Sequence, residues 1–269
     1  MTATAILRRA ALALALCTSG AAIAQPTSAP STYTPSVGQE GKDVVWVPTP
    51  QSLVDRMLDL AQVTASDYVM DLGSGDGRTV ITAAKRGARA HGIEYNAEMV
   101  ALSKRAAEQE GVAGKATFVR ADLFASDFSQ ASVITMFLLP SINLKLRPKI
   151  LNLKPGTRVV SNSFTMGDWT PDQTDTLDSS TDCKSWCTAH LWIVPAKVGG
   201  TWKLPQGELH LQQQFQMLTG TLRSAGKSLP IDGGKVRGDE IVFTAGGLEY
   251  KGKINGKRID GGNWSATRS

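Results

Sequence analysis

The chain has 269 residues, of which 42% are hydrophobic and 20% charged, proportions that exclude a largely disordered protein. The formal net charge is +5, and the basic residues are scattered rather than gathered into a run typical of a nucleic-acid-binding face. Length and charge therefore predict one full-sized domain with a smaller one, and no nucleic-acid partner.

The first 24 residues have the pattern of a secretory signal peptide. Arg8 and Arg9 precede an apolar run, residues 10–16, and small residues then lead to Ala24. This run is much shorter than the ~20 residues of a membrane-spanning helix. Cleavage after Ala24 is predicted, with export to a bacterial periplasm and no stable membrane span afterwards. An uncleaved membrane anchor is one alternative. A mitochondrial transit peptide is another, because the leader has no acidic residue, and the paired arginines raise the option of export in the folded state.

Residues 25–43 are rich in Ser, Thr, Pro and Gly, a composition that predicts a flexible linker. Order is expected from residue 44 onward. Thr49 is expected to cap a helix that Pro50 opens, because apolar side chains recur at helical spacing from there to Ala61.

From Asp67 the pattern alternates short apolar strands with helices, the order of a doubly wound, mostly parallel α/β sheet. The predicted strands are residues 68–71, 90–94, 117–120, 133–137 and 158–162, and the predicted helices begin near residues 77, 97 and 144. An antiparallel hairpin is predicted over residues 176–194. It carries Cys183 and Cys187, for which a disulfide and two free thiols are both open. Together these elements predict a Rossmann-like domain over residues 44–197.

Residues 201–264 have a different pattern, in which apolar and polar side chains alternate and glycine recurs every few residues. Leu209 and Leu211, for example, alternate with His210 and Gln212. The pattern predicts a small antiparallel β-unit, a partial barrel, that leans on the first domain.

The loop after the first predicted strand reads Asp71-Leu72-Gly73-Ser74-Gly75-Asp76-Gly77. Glycines accept positive φ and have no Cβ, so backbone N–H groups can approach a polar ligand closely. Gly73, Ser74, Gly75 and Gly77 are therefore predicted to bind a cofactor, with Asp71 meeting its ammonium group. The spacing G-x-G-x-G favours S-adenosylmethionine over the G-x-G-x-x-G of nicotinamide enzymes, which stay the alternative.

Two later carboxylates strengthen this prediction. Glu94 ends the second predicted strand, about 20 positions after Asp71, where a carboxylate accepts hydrogen bonds from ribose hydroxyls. Asp122 follows the third strand and is expected to meet the adenine amino group. All three acids lie at the carboxyl edge of the sheet, where open α/β sheets bind ligands. No set of residues has the spacing of a metal site, and His91 and His190 are interpreted as structural.

The stretch from Val47 to Trp169 resembles the class I S-adenosylmethionine-dependent methyltransferases. Within them it is similar to the group that contains the mitochondrial ATP synthase c-subunit lysine methyltransferase and its bacterial relatives. The matching segments are Val47-Pro48-Thr49-Pro50, the glycine-rich loop with Arg78, Phe137-Leu138-Leu139-Pro140-Ser141, and Leu153-Lys154-Pro155-Gly156-Thr157. The resemblance implies N-methylation of a lysine in a protein.

Candidate acceptor contacts follow the later strands. Ser141 and Asn143 come after the fourth strand, and Trp46 precedes the first helix; each has packing or helix capping as its alternative role. Ser161, Asn162 and Trp169 are further pocket candidates. Two other functions remain open: methylation of a small molecule, and an exported protein that binds ligands without catalysis.

Overall fold

The computed structural model describes residues 33–178 and 180–269. The predicted leader and the first part of the predicted linker lie outside these residues. The helices are α1 (Gln51–Leu60), α2 (Arg78–Lys85), α3 (Ala97–Gln109) and α4 (Pro140–Ile150). The first seven strands are β1 (Tyr68–Leu72), β2 (Arg89–Glu94), β3 (Ala116–Arg120), β4 (Val133–Met136), β5 (Arg158–Asn162), β6 (Gln173–Thr176) and β7 (Thr188–Ile193).

These seven strands form one sheet with the order β3-β2-β1-β4-β5-β7-β6. The strands β1 to β5 are parallel, whereas β7 runs antiparallel to both β5 and β6. The chain reverses its direction of winding between β1 and β4, which is where open α/β sheets form their ligand crevice. The predicted α/β class, a mostly parallel sheet with an antiparallel edge, is confirmed.

Helices cover both faces of the sheet because the strands are apolar on both sides. The apolar faces of α1, α2 and α3 pack with Val69 and Phe118 in one core, and α4 packs with Met70 and Trp192 in the other. The side chain of Asn96 caps α3 by accepting hydrogen bonds from Glu98 N at 2.8 Å and Met99 N at 3.3 Å.

Three local predictions were wrong. The residue at the N-cap of α1 is Pro50, and the Thr49 hydroxyl instead accepts a hydrogen bond from Asn162 Nδ2 at 3.3 Å. Helix α4 begins at Pro140, earlier than residue 144, because a proline at the first helical position loses no hydrogen bond. The hairpin begins at β6, and its cysteines lie in the connection to β7, where Cys183 and Cys187 form a disulfide.

The remaining strands are β8 (Gly200–Leu204), β9 (Gly207–Gln214), β10 (Met217–Ser224), β11 (Lys227–Arg237), β12 (Glu240–Ala245), β13 (Leu248–Asn255), β14 (Arg258–Asp260) and β15 (Ser265–Arg268). They form a closed antiparallel barrel with its own apolar core. The partial barrel predicted over residues 201–264 is therefore corrected: β15 pairs with β8 and closes the ring.

The barrel is fastened to the sheet domain by polar and aromatic contacts. Gln216 Nε2 donates to the carbonyl of Thr170 at 2.7 Å, and the ring of Phe215 stacks on Trp169 with centroids 5.9 Å apart. Residues 34–269 accordingly form one compact unit. None of the helices within the described residues is long and apolar enough to cross a membrane.

Candidate active site

The glycine-rich loop turns sharply between β1 and α2. Gly75 and Gly77 have φ angles of +53° and +82°, in the left-handed region that glycine tolerates best. A Cβ at Gly75 would lie 2.6 Å from Trp46 Nε1, and a Cβ at Gly77 would lie 2.7 Å from Ser103 Cβ. Close packing as well as backbone conformation therefore requires glycine at both positions.

Asp71 lies near the end of β1 and is only 6% exposed. Thr135 Oγ1 donates to its Oδ1 at 2.6 Å. Burial, opposed by this hydrogen bond and reinforced by the negative charges of Glu94 and Asp76, raises the pKa of Asp71 to about 7. A positively charged ligand group beside this carboxyl would lower its pKa again.

Glu94 ends β2 and connects that strand to the glycine-rich loop. Its Oε2 accepts a hydrogen bond from Gly75 N at 2.9 Å, and its Oε1 accepts one from Asn96 N at 2.8 Å. Each carboxylate oxygen has a second lone pair. The side chain can therefore hold the loop and still accept a hydrogen bond from a sugar hydroxyl.

Asp122 follows β3 and is partly exposed. Its Oδ1 accepts a hydrogen bond from Phe124 N at 2.9 Å, and Lys42 Nζ contacts its Oδ2 at 2.6 Å. The Lys42 hydrogen bond, followed by that of Phe124 N, holds the pKa of Asp122 below its ordinary value. Lys42 belongs to the predicted linker, so the structure corrects that prediction: residues 39–43 line the site instead of forming a free linker.

Around these three carboxylates lies a cleft of about 1040 Å³, a volume that includes its open mouth. Its floor is the glycine-rich loop, and Trp46 lies over Gly75. Ile93, Met99 and Leu138 provide apolar walls. The cleft thus combines apolar walls with a few convergent carboxylates, as small-molecule sites do. Its residues fit an adduct with an ammonium group, a ribose and an adenine.

The predicted acceptor contacts have mixed outcomes. Trp46 lines the cleft, as expected, whereas Ser141 is an exposed residue in the first turn of α4. Asn143 is fully buried, and its Nδ2 donates to the carbonyls of Phe164 and Thr165, both at 3.2 Å. Asn143 therefore fastens the chain after β5 and does not face the cleft.

The other candidates also have structural contacts. Asn162 donates to the Thr49 hydroxyl, and Ser161 is fully buried beside Asn143. Trp169 is fully buried in the core and stacks on Phe215. The sequence prediction missed Lys42 and Phe137, which both line the cleft. Phe137 directly follows β4 at the carboxyl edge of the sheet, and that position is the signal that identifies it.

Both histidines of the sheet domain have local partners. His91 Nδ1 lies 2.8 Å from Thr117 Oγ1, and His190 Nδ1 lies 2.9 Å from Thr174 Oγ1. Burial lowers the pKa of both histidines. Over residues 33–178 and 180–269, no group of three or more His, Cys, Asp or Glu side chains is placed to hold a metal ion.

Comparison with known proteins identifies this arrangement. The ANTKMT methyltransferase domain family matches residues 71–173. A protein-lysine N-methyltransferase of Saccharolobus islandicus is 47% identical over 133 residues, 48% of this chain and 83% of that protein. The chain is an S-adenosylmethionine-dependent methyltransferase of this family.

Two further relatives show how far the similarity extends. The human ATP synthase c-subunit lysine N-methyltransferase is 38% identical over 128 residues, 47% of this chain and 54% of that protein. The crystal structure of an RNA methyltransferase from Salinibacter ruber with S-adenosyl-L-homocysteine is 46% identical, with a TM-score of 0.53, and covers 56% of this chain and 96% of that one. The family match ends at residue 173, before the barrel.

The cofactor of this methyltransferase is S-adenosylmethionine, which supplies a methyl group on a positively charged sulfur. Transfer is a displacement, so the protein's part is to align the two reactants and exclude water. Asp71, Glu94 and Asp122 all line the cleft, and they would hold the ammonium, ribose and adenine groups of the cofactor.

Proposed function

We propose that this methyltransferase N-methylates lysine side chains of a protein. The observation that carries the proposal is the charge of the cleft. Its lining includes six acidic side chains, Glu40, Asp43, Asp71, Asp76, Glu94 and Asp122, and two basic ones, Lys42 and Arg78. Both basic groups are already paired with acids of the lining, Lys42 with Asp122 and Arg78 with Asp76.

An acidic cleft attracts a cationic acceptor and repels a phosphate backbone. This favours lysine over RNA, although the relatives include proteins named for either acceptor. The similarity to two lysine methyltransferases supports the same choice. A small amine is the second candidate, because the charge of the cleft suits it equally.

The test uses the purified chain, S-adenosylmethionine with a labelled methyl group, and an envelope protein extract from cells without this gene. We expect label in a protein band that resists ribonuclease and yields methyl-lysine on acid hydrolysis. Acetylating the lysines of the extract beforehand should abolish the label, and an Asp71→Asn variant serves as the inactive control. Label found only in RNA or only in small molecules would refute lysine methylation.

We further propose that the protein works after export, with cleavage following Ala24. The Cys183–Cys187 disulfide supports this, because such bonds persist in oxidising compartments. Mass measurement of the chain purified from a periplasmic fraction should show a first residue of Gln25. A full-length chain found only in the cytoplasmic fraction contradicts the proposal.

A further inference from the structure

Three aromatic side chains form a cluster beside the cofactor cleft. The ring of Phe137, which lines the cleft, stacks on Phe164 with centroids 6.0 Å apart. Trp186 packs against both rings, with centroids 6.3 Å from Phe137 and 5.2 Å from Phe164. We call this cluster the aromatic wall. Its members follow β4, follow β5 and lie in the β6–β7 connection, so only the fold brings them together.

The aromatic wall is not part of the hydrophobic core. Trp186 is 47% exposed, and Phe137 and Phe164 are only partly buried. An exposed aromatic group of this kind typically marks a binding site. Because Phe137 also lines the cleft, the aromatic wall is continuous with the cofactor site.

The chain holds Trp186 in this exposed position. Trp186 has a φ of +59°, which is unusual for a bulky residue, and the Cys183–Cys187 disulfide closes the turn that contains it.

Aromatic faces attract cations, and the acidic residues of the adjoining cleft add to that attraction. We propose that the aromatic wall binds the alkyl chain and ammonium group of the methyl acceptor, an inference that rests on the proposed methylation of lysine. Before each transfer the bound ammonium group loses a proton to water, and the lone pair of the resulting neutral amine forms the new N–C bond. The S–C bond breaks with its electron pair left on sulfur, and the charge moves to nitrogen.

Retention of the product follows from the same chemistry. The methylated nitrogen is a cation, which the rings still attract, and it loses a proton to water before the next transfer. Less hydrated, methylated ammonium groups bind aromatic faces well. The aromatic wall therefore favours repeated methylation of one lysine over release after the first methyl group.

The binding test needs no identified acceptor. Choline and its neutral isostere 3,3-dimethyl-1-butanol are titrated into the full chain loaded with S-adenosylhomocysteine, while the indole N–H signal of Trp186 is followed by NMR. We expect choline to shift this signal and to bind about 3- to 30-fold more tightly than the isostere, as expected for a cation–π contact. Equal binding of the two probes, or no binding of choline, overturns the proposal.

Matched variants localise the effect. Trp186→Ala and Phe164→Leu should each weaken choline binding about 3- to 30-fold. Leu248→Ala, at a side chain 65% exposed on the barrel, should leave it unchanged. Unaltered affinity for S-adenosylhomocysteine confirms that each variant is folded. If Trp186→Ala binds choline like the parent chain, the proposal is wrong.

The disulfide loop provides a positioning test. Cys183→Ser should raise the dissociation constant of choline as Trp186→Ala does, without changing the affinity for S-adenosylhomocysteine. If choline binds at the aromatic wall but no protein lysine is methylated, the proposed function fails and the ammonium site stands. If lysine is methylated and Trp186→Ala leaves the acceptor KM unchanged, the aromatic wall is refuted and the function stands.

Discussion

Two aspartates, one just before β1 and one near its end, have similarly small exposed fractions, but their pKa values are shifted in opposite directions. Asp67 is 7% exposed and Asp71 is 6% exposed. Asp67 accepts hydrogen bonds from Thr64 N at 2.8 Å and Ser132 Oγ at 2.7 Å, and it forms an ion pair with Arg158. Although burial opposes it, these three partners hold the pKa of Asp67 below its ordinary value, whereas that of Asp71 is raised to about 7.

The opposite pKa shifts indicate different roles: Asp67 contributes to the stability of the fold, and Asp71 to ligand binding. At the amino end of β1 the fold itself satisfies the carboxylate, so Asp67 ties the strand to its neighbours. At the carboxyl end, the described residues that act on Asp71 are one hydroxyl, which lowers its pKa, and two acids, which raise it; a bound cationic group would lower it further. A carboxyl group whose pKa is raised by burial and by neighbouring acids is typical of binding sites.

The largest expected effect concerns Asp71. Replacing it by Asn removes the charge that meets the ammonium group of S-adenosylmethionine, so the dissociation constant should rise at least about 100-fold. Isothermal titration calorimetry measures this, and the thermal midpoint of the ligand-free chain should not fall. Undiminished binding would contradict the role assigned to Asp71.

Asp67→Asn should show the reverse behaviour. It leaves Arg158 without its ion-pair partner in a partly buried position, which should cost about 2–4 kcal/mol of the free energy of unfolding. Urea denaturation measures the loss, and the affinity for S-adenosylmethionine should change by less than about twofold. A large loss of affinity in this variant would show that the two ends of β1 are not independent.

Cofactor binding should depend on pH through Asp71. Its raised pKa means that a proton must leave when the ammonium group binds at acidic pH. The dissociation constant should therefore fall about tenfold per unit as pH rises toward about 7, and level off above it. It should rise again when the cofactor's own amine loses its proton, near pH ~8. Asp71→Asn should abolish the acidic limb in titrations from pH ~5.5 to ~8.5.

The same raised pKa has a consequence for the ligand-free chain. The stability that protonated Asp71 contributes is fully present below the unfolded-state value of 3.8 and is lost as pH rises through about 7. Asp71→Asn should therefore unfold at a higher urea concentration than the parent chain at alkaline pH. If the variant is no more stable than the parent chain at alkaline pH, the raised pKa assigned to Asp71 is contradicted.

Asp122→Asn should have the smallest effect. Asp122 is partly exposed and already paired with Lys42, so its loss should weaken S-adenosylmethionine binding about fivefold. The effect should shrink at high salt, in contrast to that of Asp71→Asn. Equal effects of the two substitutions would contradict the distinction between a satisfied and a strained carboxylate.

The cofactor half of the site could be predicted because its signals are local. Asp71 and Glu94 lie at the carboxyl ends of apolar strands and the glycines follow the first of them, and parallel strands bring their carboxyl ends to one edge. Strand β5 was predicted with both bounds correct because it is apolar and preceded by Lys-Pro-Gly. Periodicity and turn residues are sufficient for elements of this kind.

The acceptor half could not be predicted in the same way. Phe164 and Trp186 lie in irregular segments, and only tertiary packing brings them to Phe137. Lys42 lies in a stretch whose composition indicates a linker, yet it lines the cleft and pairs with Asp122, a residue distant in sequence. Asn143 was predicted to contact the substrate because it comes after the fourth strand. Its side chain is buried, however, and its amide donates to backbone carbonyls.

The pairing of β15 with β8 closes the barrel, and this pairing is expected to be a slow step in folding. Strand β8 pairs with both β9 and β15, and Trp202 is aligned with Arg268 in the second ladder. Forming that ladder requires a large loop to close, and contacts between distant residues form slowly. Until then β8 and β15 each present an unpaired edge, which can recruit another chain. Removing residues 265–268 would make this transient state permanent and turn a closed ring into a template for aggregation.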